Sequence, residues 1–162
     1  HEIYNLELID YCLSNFDTVL ISAGACTKNE LHEAVKKINL SDCKTILMHC
    51  VSTYPCPSEN VNLKRLEYLK SIIVNSELGL SDHSSSLVIP SVAAIYNIKA
   101  IEKHFTIDND LPGRDNKFAL LPNQFEKMVK NHKEVLLGLI DHGVDYQECE
   151  KNTVKNYRGR WG

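Results

Sequence analysis

Short apolar runs rich in β-branched residues alternate with segments of helical period, and this alternation restricts what the chain can fold into. The apolar runs are 18–21, 45–48, 78–80 and 98–101, and residues 4–14 read as the end of an earlier helix. Strands that alternate with helices form β/α units around a parallel sheet. The four units are half the number found in a (β/α)8 barrel.

The first turns of two helices can be recognised from the sequence. Thr27 followed by Glu30 is a capping box, and the helix after it carries Leu31, Ala34, Val35 and Ile38 on one face. Pro122 opens the last helix, because proline suits the first helical turn. The pattern predicts that this helix turns the following side chains inward: Phe125, Met128, Val129, Leu136 and Leu139.

Composition excludes several classes of protein. The chain has 162 residues, of which 43% are hydrophobic and 24% charged, so it can bury a core. The net charge of −3 has no long single-sign run, which argues against nucleic-acid and membrane partners. No apolar run approaches the roughly 20 residues of a membrane span, and the start at His1 lacks signal-peptide features. We expect a cytoplasmic domain over 1–140 and an irregular tail or linker over 141–162.

Polar side chains directly follow each apolar run. They are Ser22, then Ser52 with Tyr54, then Ser81 with His83, and then Glu102 with His104. In a parallel β/α barrel these positions share the rim where active sites are built. A doubly wound sheet also binds ligands at strand ends, but the glycine-rich phosphate turn of that fold follows none of these runs. The pattern therefore favours the barrel.

Two of these residues are candidate metal ligands. His83 and His104 each close a strand on neighbouring units, so both imidazoles could converge on one ion. Two nitrogen donors leave positions open for water and substrate, without selecting among Mn²⁺, Mg²⁺, Zn²⁺ and Fe²⁺. Asp82 and Glu102 are close enough in sequence to orient or neutralise the site. Glu102 could equally form a salt bridge with Lys103 or another neighbour.

The remaining polar candidates have plainer interpretations. We interpret His49 as a packed core histidine, and Cys50 as a small apolar filler that lacks an evident activating base. Tyr54 could anchor its loop or direct its hydroxyl at substrate. Ser22 and Ser81 could simply be turn residues.

Four motifs in register resemble the sialic acid synthase family. They are MHCVSTYPCP at 48–57, GLSDH at 79–83, IEKHFT at 101–106 and LPGRD at 111–115. The segment ISAG at 21–24 also resembles the end of a strand in that family. The order and the intervals agree as well, so the resemblance extends from residue 1 to about Leu139.

This resemblance implies a (β/α)8 barrel to which the chain supplies the last four units. In such enzymes C3 of phosphoenolpyruvate attacks the aldehyde of an open-chain N-acylated amino sugar, water adds at C2, and phosphate leaves. It implies that His83 and His104 hold Mn²⁺ or Mg²⁺, and we take them with Glu102 and Tyr54 as the catalytic residues. The substrate contacts are Ser22, Ser52 and Ser81 to phosphoenolpyruvate, and Tyr54 and Asp115 to the sugar.

The chain lacks other parts of the family pattern. The family's first four strands carry an acidic residue and lysines that meet the substrates, and a small antifreeze-like domain usually follows the barrel. We therefore expect these residues alone to be inactive, and to form a homodimer or pair with the missing half. Two alternatives stay open: an enzyme for a phosphorylated sugar, which needs basic residues near Arg114 and Lys117, and a non-catalytic half-barrel for binding or assembly.

Overall fold

Four parallel strands form the centre of the fold in the computed structural model, which describes residues 1–159. They are β1 (Thr18–Ser22), β2 (Lys44–Cys50), β3 (Ser76–Asp82) and β4 (Ala100–Lys103). The strands lie in the sheet in the order in which they occur in the sequence. A barrel keeps this order, whereas a doubly wound sheet reverses it partway across. The four predicted β/α units are therefore confirmed.

Helices precede, connect and follow the strands. They are α1 (Leu6–Asn15), α2 (Lys28–Asn39), α3 (Arg65–Ile72), α4 (Ile89–Val92), α5 (Pro122–Gly138) and α6 (Lys151–Asn156). Single 3-10 turns occupy Ser58–Asn60, Ala93–Tyr96 and Glu148–Glu150. Over residues 1–159, no helix has the length and apolar character needed to cross a membrane.

The core lies between the sheet and the helices. Thr27 and Glu30 form the predicted capping box, with Thr27 N donating to Glu30 Oε2 at 2.7 Å. The predicted apolar face of α2 is buried in one cluster with Ile21 and Leu47 of the sheet. Since successive strand residues face opposite sides, the neighbours of Ile21 and Leu47 project from the other, inner face.

The inner face is open to solvent at the edge of the sheet and packed towards its middle. Leu20, on the edge strand β1, is 51% exposed. Met48 of β2 is buried, because Gly79 of β3 leaves it room: a Cβ on Gly79 would lie 2.1 Å from Met48 Sδ. A larger residue at position 79 would therefore displace Met48 from the inner face.

Two sequence expectations differ from the structure. Helix α5 begins at Pro122 as predicted and buries Met128, but Leu136 and Leu139 are 47% and 48% exposed. The reason is that α5 has 17 residues and packs on α4, which has four. The tail expected to be irregular contains a 3-10 turn and α6, opened where Gln147 N donates to Glu150 Oε2 at 2.8 Å. Its last residues, 160–162, lie outside the described part of the chain.

Candidate functional site

The two predicted metal ligands lie side by side on the inner rim of the sheet. His83 directly follows β3 and His104 directly follows β4. Their ring centres are 5.2 Å apart and the ring planes are inclined by 66°. Imidazole nitrogens bind metals at about 2 Å, which puts the centres of two rings on one ion on the order of 5 Å apart. The spacing therefore fits a shared ion.

Ser81 and Glu102 lie below the histidines on the same face. They are partners in the register of β3 and β4, and Ser81 Oγ donates to Glu102 Oε1 at 2.6 Å. Ser81 Oγ also lies 3.4 Å from His83 Nε2. The structure thus brings four of the predicted site residues together at the ends of two neighbouring strands.

Asp82 and Lys103 face the opposite side, which corrects two expectations. Lys103 Nζ lies 2.6 Å from Asp82 Oδ2, and both side chains are buried. Asp82 therefore does not face the candidate metal site, and the alternative pairing of Lys103 with Glu102 is wrong. The reason is the alternation of side chains along a strand, which turns Asp82 away from His83.

The nitrogen atoms of His83 have different surroundings. Nδ1 lies 2.9 Å from the carbonyl oxygen of Val51, so we assign it the proton. Because the hydroxyl proton of Ser81 is directed at Glu102, Nε2 keeps its lone pair towards the site. Burial lowers the pKa of His83, but hydrogen bonds with Cys50 and Val51 outweigh it and the net shift is upward.

A folded-back loop places Asp115 beside His104. The loop is held by backbone hydrogen bonds from Leu120 N to His104 O at 2.9 Å and from Thr106 N to Leu120 O at 3.0 Å. Asp115 Oδ2 lies 3.5 Å from His104 Nδ1, and its side chain is exposed. This residue, expected to contact the sugar, therefore stands at the mouth of the site next to a candidate ligand.

Tyr54 packs its ring against both histidines. The ring centres are 4.3 Å from His83 and 5.6 Å from His104. Burial raises the pKa of Tyr54, so its hydroxyl stays neutral near pH 7. Phe118 completes this aromatic wall at 5.2 Å from His104 and 6.1 Å from Tyr54. Sequence reasoning missed Phe118, whose only signal is its place three residues after Asp115.

Ser52 joins the site through Cys50. Ser52 Oγ lies 3.5 Å from Cys50 Sγ, which lies 3.9 Å from His83 Nδ1. His83 of the next strand thus lies near Cys50, but its Nδ1 proton is directed at the Val51 carbonyl, so this nitrogen is not a base for the thiol. Burial raises the pKa of Cys50, but hydrogen bonds with His83 and Ser52 outweigh it and the net shift is downward. Gly24 makes this packing possible, since a Cβ there would lie 2.4 Å from Ser52 Oγ.

Two further candidates lie away from the histidine pair. Ser22 ends β1, the edge strand farthest from β4, and lines a groove with Leu20 and Cys12. His49 is fully buried, and its Nε2 lies 2.7 Å from the carbonyl oxygen of Val61. The interpretation of His49 as a core histidine is confirmed, and burial lowers its pKa.

The candidate metal site has few protein ligands within the described residues. Among residues 1–159, no group of three or more His, Cys, Asp or Glu side chains is arranged to hold a metal. Within the described residues, the histidine pair offers two imidazole nitrogens to an ion. Two such donors suit a divalent Lewis acid.

Comparison with known proteins points to one family. The NeuB family model matches residues 1–142. The spore coat polysaccharide biosynthesis protein SpsE of Bacillus subtilis is 37% identical over 160 residues, which are 98% of this chain and 43% of that protein. The N,N'-diacetyllegionaminic acid synthase of Legionella pneumophila is 32% identical over 145 residues, covering 85% of this chain and 40% of that protein.

A solved structure shows the same fold. The N-acetylneuraminic acid (sialic acid) synthetase of Leptospira borgpetersenii, crystallised with citrate, superposes with a TM-score of 0.84 at 29% identity. The match covers 95% of this chain and 54% of that one. The predicted fold class, part of a β/α barrel, is confirmed. The chain spans about half the length of the relatives that it matches, or somewhat less.

Proposed function

Because the chain belongs to the NeuB family, we propose that it forms the metal-binding half of an active site that joins phosphoenolpyruvate to the aldehyde of an N-acylated amino sugar. The resemblance to sialic acid synthases is confirmed at the level of the family. The observation that supports the proposed chemistry is the 5.2 Å spacing of the His83 and His104 rings at adjacent strand ends. Relatives named as synthases of legionaminic and pseudaminic acids support the substrate class.

The proposed reaction forms one carbon–carbon bond and releases inorganic phosphate. C3 of phosphoenolpyruvate attacks the aldehyde carbon, whose oxygen takes the bonding electrons and then a proton. Water adds at C2 and loses one proton, and the C2–O bond to phosphate then breaks. The second proton of the added water passes to the leaving phosphate, which gives a 2-keto acid. Glu102 is exposed on the inner face beside Ser81, and we assign it the proton of the attacking water.

The histidines would hold the ion that assists this reaction. Bound by His83 and His104, Mn²⁺ or Mg²⁺ would supply the Lewis acidity that polarises the aldehyde. His83 keeps Nε2 available because Nδ1 donates to the Val51 carbonyl. A hydrogen bond from the second ring nitrogen to an acceptor orients a ligating histidine and raises its basicity.

Hydroxyl groups and a carboxylate complete the proposed substrate contacts. We assign Ser22, Ser52 and Ser81 to the phosphate and carboxylate oxygens of phosphoenolpyruvate, and Tyr54 and Asp115 to the sugar. Ser52 and Ser81 support this by lying on either side of His83. The exposure of Tyr54 and Asp115 at the mouth of the site leaves both accessible to a sugar.

We also propose that a second half-barrel pairs with this chain and completes the barrel. It comes from a second chain or from another part of the same protein. Within residues 1–159 each outer strand has one edge free of a second strand, apart from the bridge between Phe105 and Leu120. The inner face near β1 exposes Leu20. Open edges and apolar inner faces favour association.

A product assay tests the proposal. The complete protein is incubated with Mn²⁺, phosphoenolpyruvate and either N-acetylmannosamine or a diacetamido-trideoxy hexose, and phosphate and the nonulosonic acid are measured by colorimetry and mass spectrometry. We expect both products in equal amounts with at least one sugar, and no turnover by residues 1–162 alone. Absence of both products with every sugar contradicts the proposed function. Brisk turnover by the isolated chain contradicts the need for a second half.

A further inference from the structure

An ion pair is buried directly behind the histidine pair. Asp82 Oδ2 lies 2.6 Å from Lys103 Nζ, with side chains 0% and 2% exposed. Asp82 also accepts hydrogen bonds from Ser84 N at 2.9 Å and Ser84 Oγ at 3.0 Å, and Lys103 donates to the Ser84 carbonyl. Burying two charges has a desolvation cost that apolar residues of similar size avoid. Stability alone therefore does not account for the pair.

The position of the pair suggests what it does. Asp82 precedes His83, Lys103 precedes His104, and the two are partners in the last paired position of β3 and β4. The histidines lie one residue beyond the ladder, where paired strands no longer fix their separation. Strand residues alternate in direction, so the ion pair anchors one face while the histidines meet on the other.

We propose that the Asp82–Lys103 ion pair is a positioning device, which locks the last rung of β3 and β4 so that His83 and His104 can share one ion. This inference rests on the proposed function. The pair acts through the backbone and does not touch the ion or the substrates. Its loss leaves the ligands present but less well placed, and the chief consequence is weaker metal binding.

A charge-neutral double variant separates positioning from folding. Asp82→Asn with Lys103→Met removes both charges and leaves no unpaired buried charge. Mn²⁺ affinity is measured by calorimetry on the complete protein without substrates, alongside circular dichroism and urea unfolding. We expect Mn²⁺ binding to weaken about tenfold or more while the fold is kept, the usual effect of losing support around metal ligands. A folded double variant with the affinity of the wild type overturns the inference, because a purely stabilising pair alters only the unfolding midpoint.

Matched variants distinguish the other outcomes. The exposed pair Glu126 and Lys130, 2.7 Å apart on α5, is the control, and Glu126→Gln with Lys130→Met keeps wild-type affinity. If the buried double variant does not fold, Ser84→Ala removes the hydroxyl hydrogen bond to Asp82, together with the one that Ser84 Oγ accepts from Ser86 N, and leaves both charges in place. We expect Ser84→Ala to weaken Mn²⁺ binding two- to threefold, which corresponds to about 0.5 kcal/mol. Unchanged Mn²⁺ affinity in this variant overturns the inference. A wild type that binds no Mn²⁺ refutes the proposed metal role itself, and the inference with it.

Discussion

Ser81 Oγ donates a 2.6 Å hydrogen bond to Glu102 Oε1 across the ends of β3 and β4. This contact directs the serine proton away from His83 and keeps the Nε2 lone pair of His83 free. It also holds the Glu102 carboxylate on the inner face, where the proposed water attack takes place. One hydrogen bond therefore prepares both the metal ligand and the proposed base.

Replacing Ser81 by alanine tests this arrangement. Ser81→Ala removes the donor to Glu102 and one proposed contact to phosphoenolpyruvate. We expect the KM for phosphoenolpyruvate to rise about tenfold, which corresponds to about 1.4 kcal/mol. We also expect kcat to fall, because Glu102 loses the hydrogen bond that holds it, and Mn²⁺ affinity to change little, because alanine has no proton to occupy the Nε2 lone pair of His83. Steady-state kinetics check this against Ser71→Ala on the surface of α3, where the Ser71 hydroxyl donates to Tyr68 O at 2.7 Å. An unchanged KM removes Ser81 from the substrate site.

Two variants of Tyr54 separate its hydroxyl from its ring. Tyr54→Phe keeps the packing on His83, so Mn²⁺ affinity stays unchanged while the KM for the sugar rises through loss of one hydrogen bond, about 1 kcal/mol. Tyr54→Ala also loses the ring, and we expect Mn²⁺ binding to weaken as well. Calorimetry and kinetics on both variants check this. Equal sugar KM values for Tyr54→Phe and the wild type contradict the assigned sugar contact.

His49 gives the fold a dependence on pH. Burial lowers its pKa in the folded state below the ordinary value of 6.5. As the pH falls below about 6.5, the unfolded chain binds more protons than the folded one, and the free energy of unfolding decreases. His49→Gln keeps a donor towards the Val61 carbonyl and removes the titration. Urea unfolding at pH about 7.5 and about 5 should show a smaller loss in this variant, and an equal loss contradicts the account.

The nature of the sugar can be tested at the loop. Arg114 and Lys117 are exposed beside Asp115, where a phosphorylated sugar would need cationic partners. For an unphosphorylated substrate, Arg114→Ala with Lys117→Ala should change the sugar KM by less than about fivefold, as expected for exposed charges. A KM raised by well over tenfold, together with turnover of a sugar phosphate, supports the alternative condensing enzyme.

Much of this site follows from the sequence because parallel strands end on one rim. His83 and His104 each follow an apolar run, so their convergence is a consequence of the sheet. The side to which Asp82 points can be predicted only when the end of its strand is known. The apolar run stops at Leu80, whereas β3 continues through Asp82. Once the strand includes Asp82, alternation turns it away from the histidines.

Contacts that depend on loop folding could not be predicted from periodicity. Phe118 and Asp115 reach His104 because Leu120 pairs with the backbone beyond β4, and no repeat in the sequence marks that pairing. The proximity of Cys50 to His83 likewise needs the register of β2 and β3, since the residues are 33 positions apart in the chain. Such long-range contacts are set by the assembled sheet.

The central claim is that His83 and His104 bind one divalent ion, and pulsed electron paramagnetic resonance of bound Mn²⁺ tests it most directly. The complete protein should show hyperfine coupling to two imidazole nitrogens. His83→Ala and His104→Ala should each show one, with weaker Mn²⁺ binding and loss of condensation by a factor of about 100 or more. His142→Ala, in the exposed tail, should keep both couplings. Mn²⁺ that shows no imidazole coupling, or couplings unchanged in both ligand variants, would contradict the account.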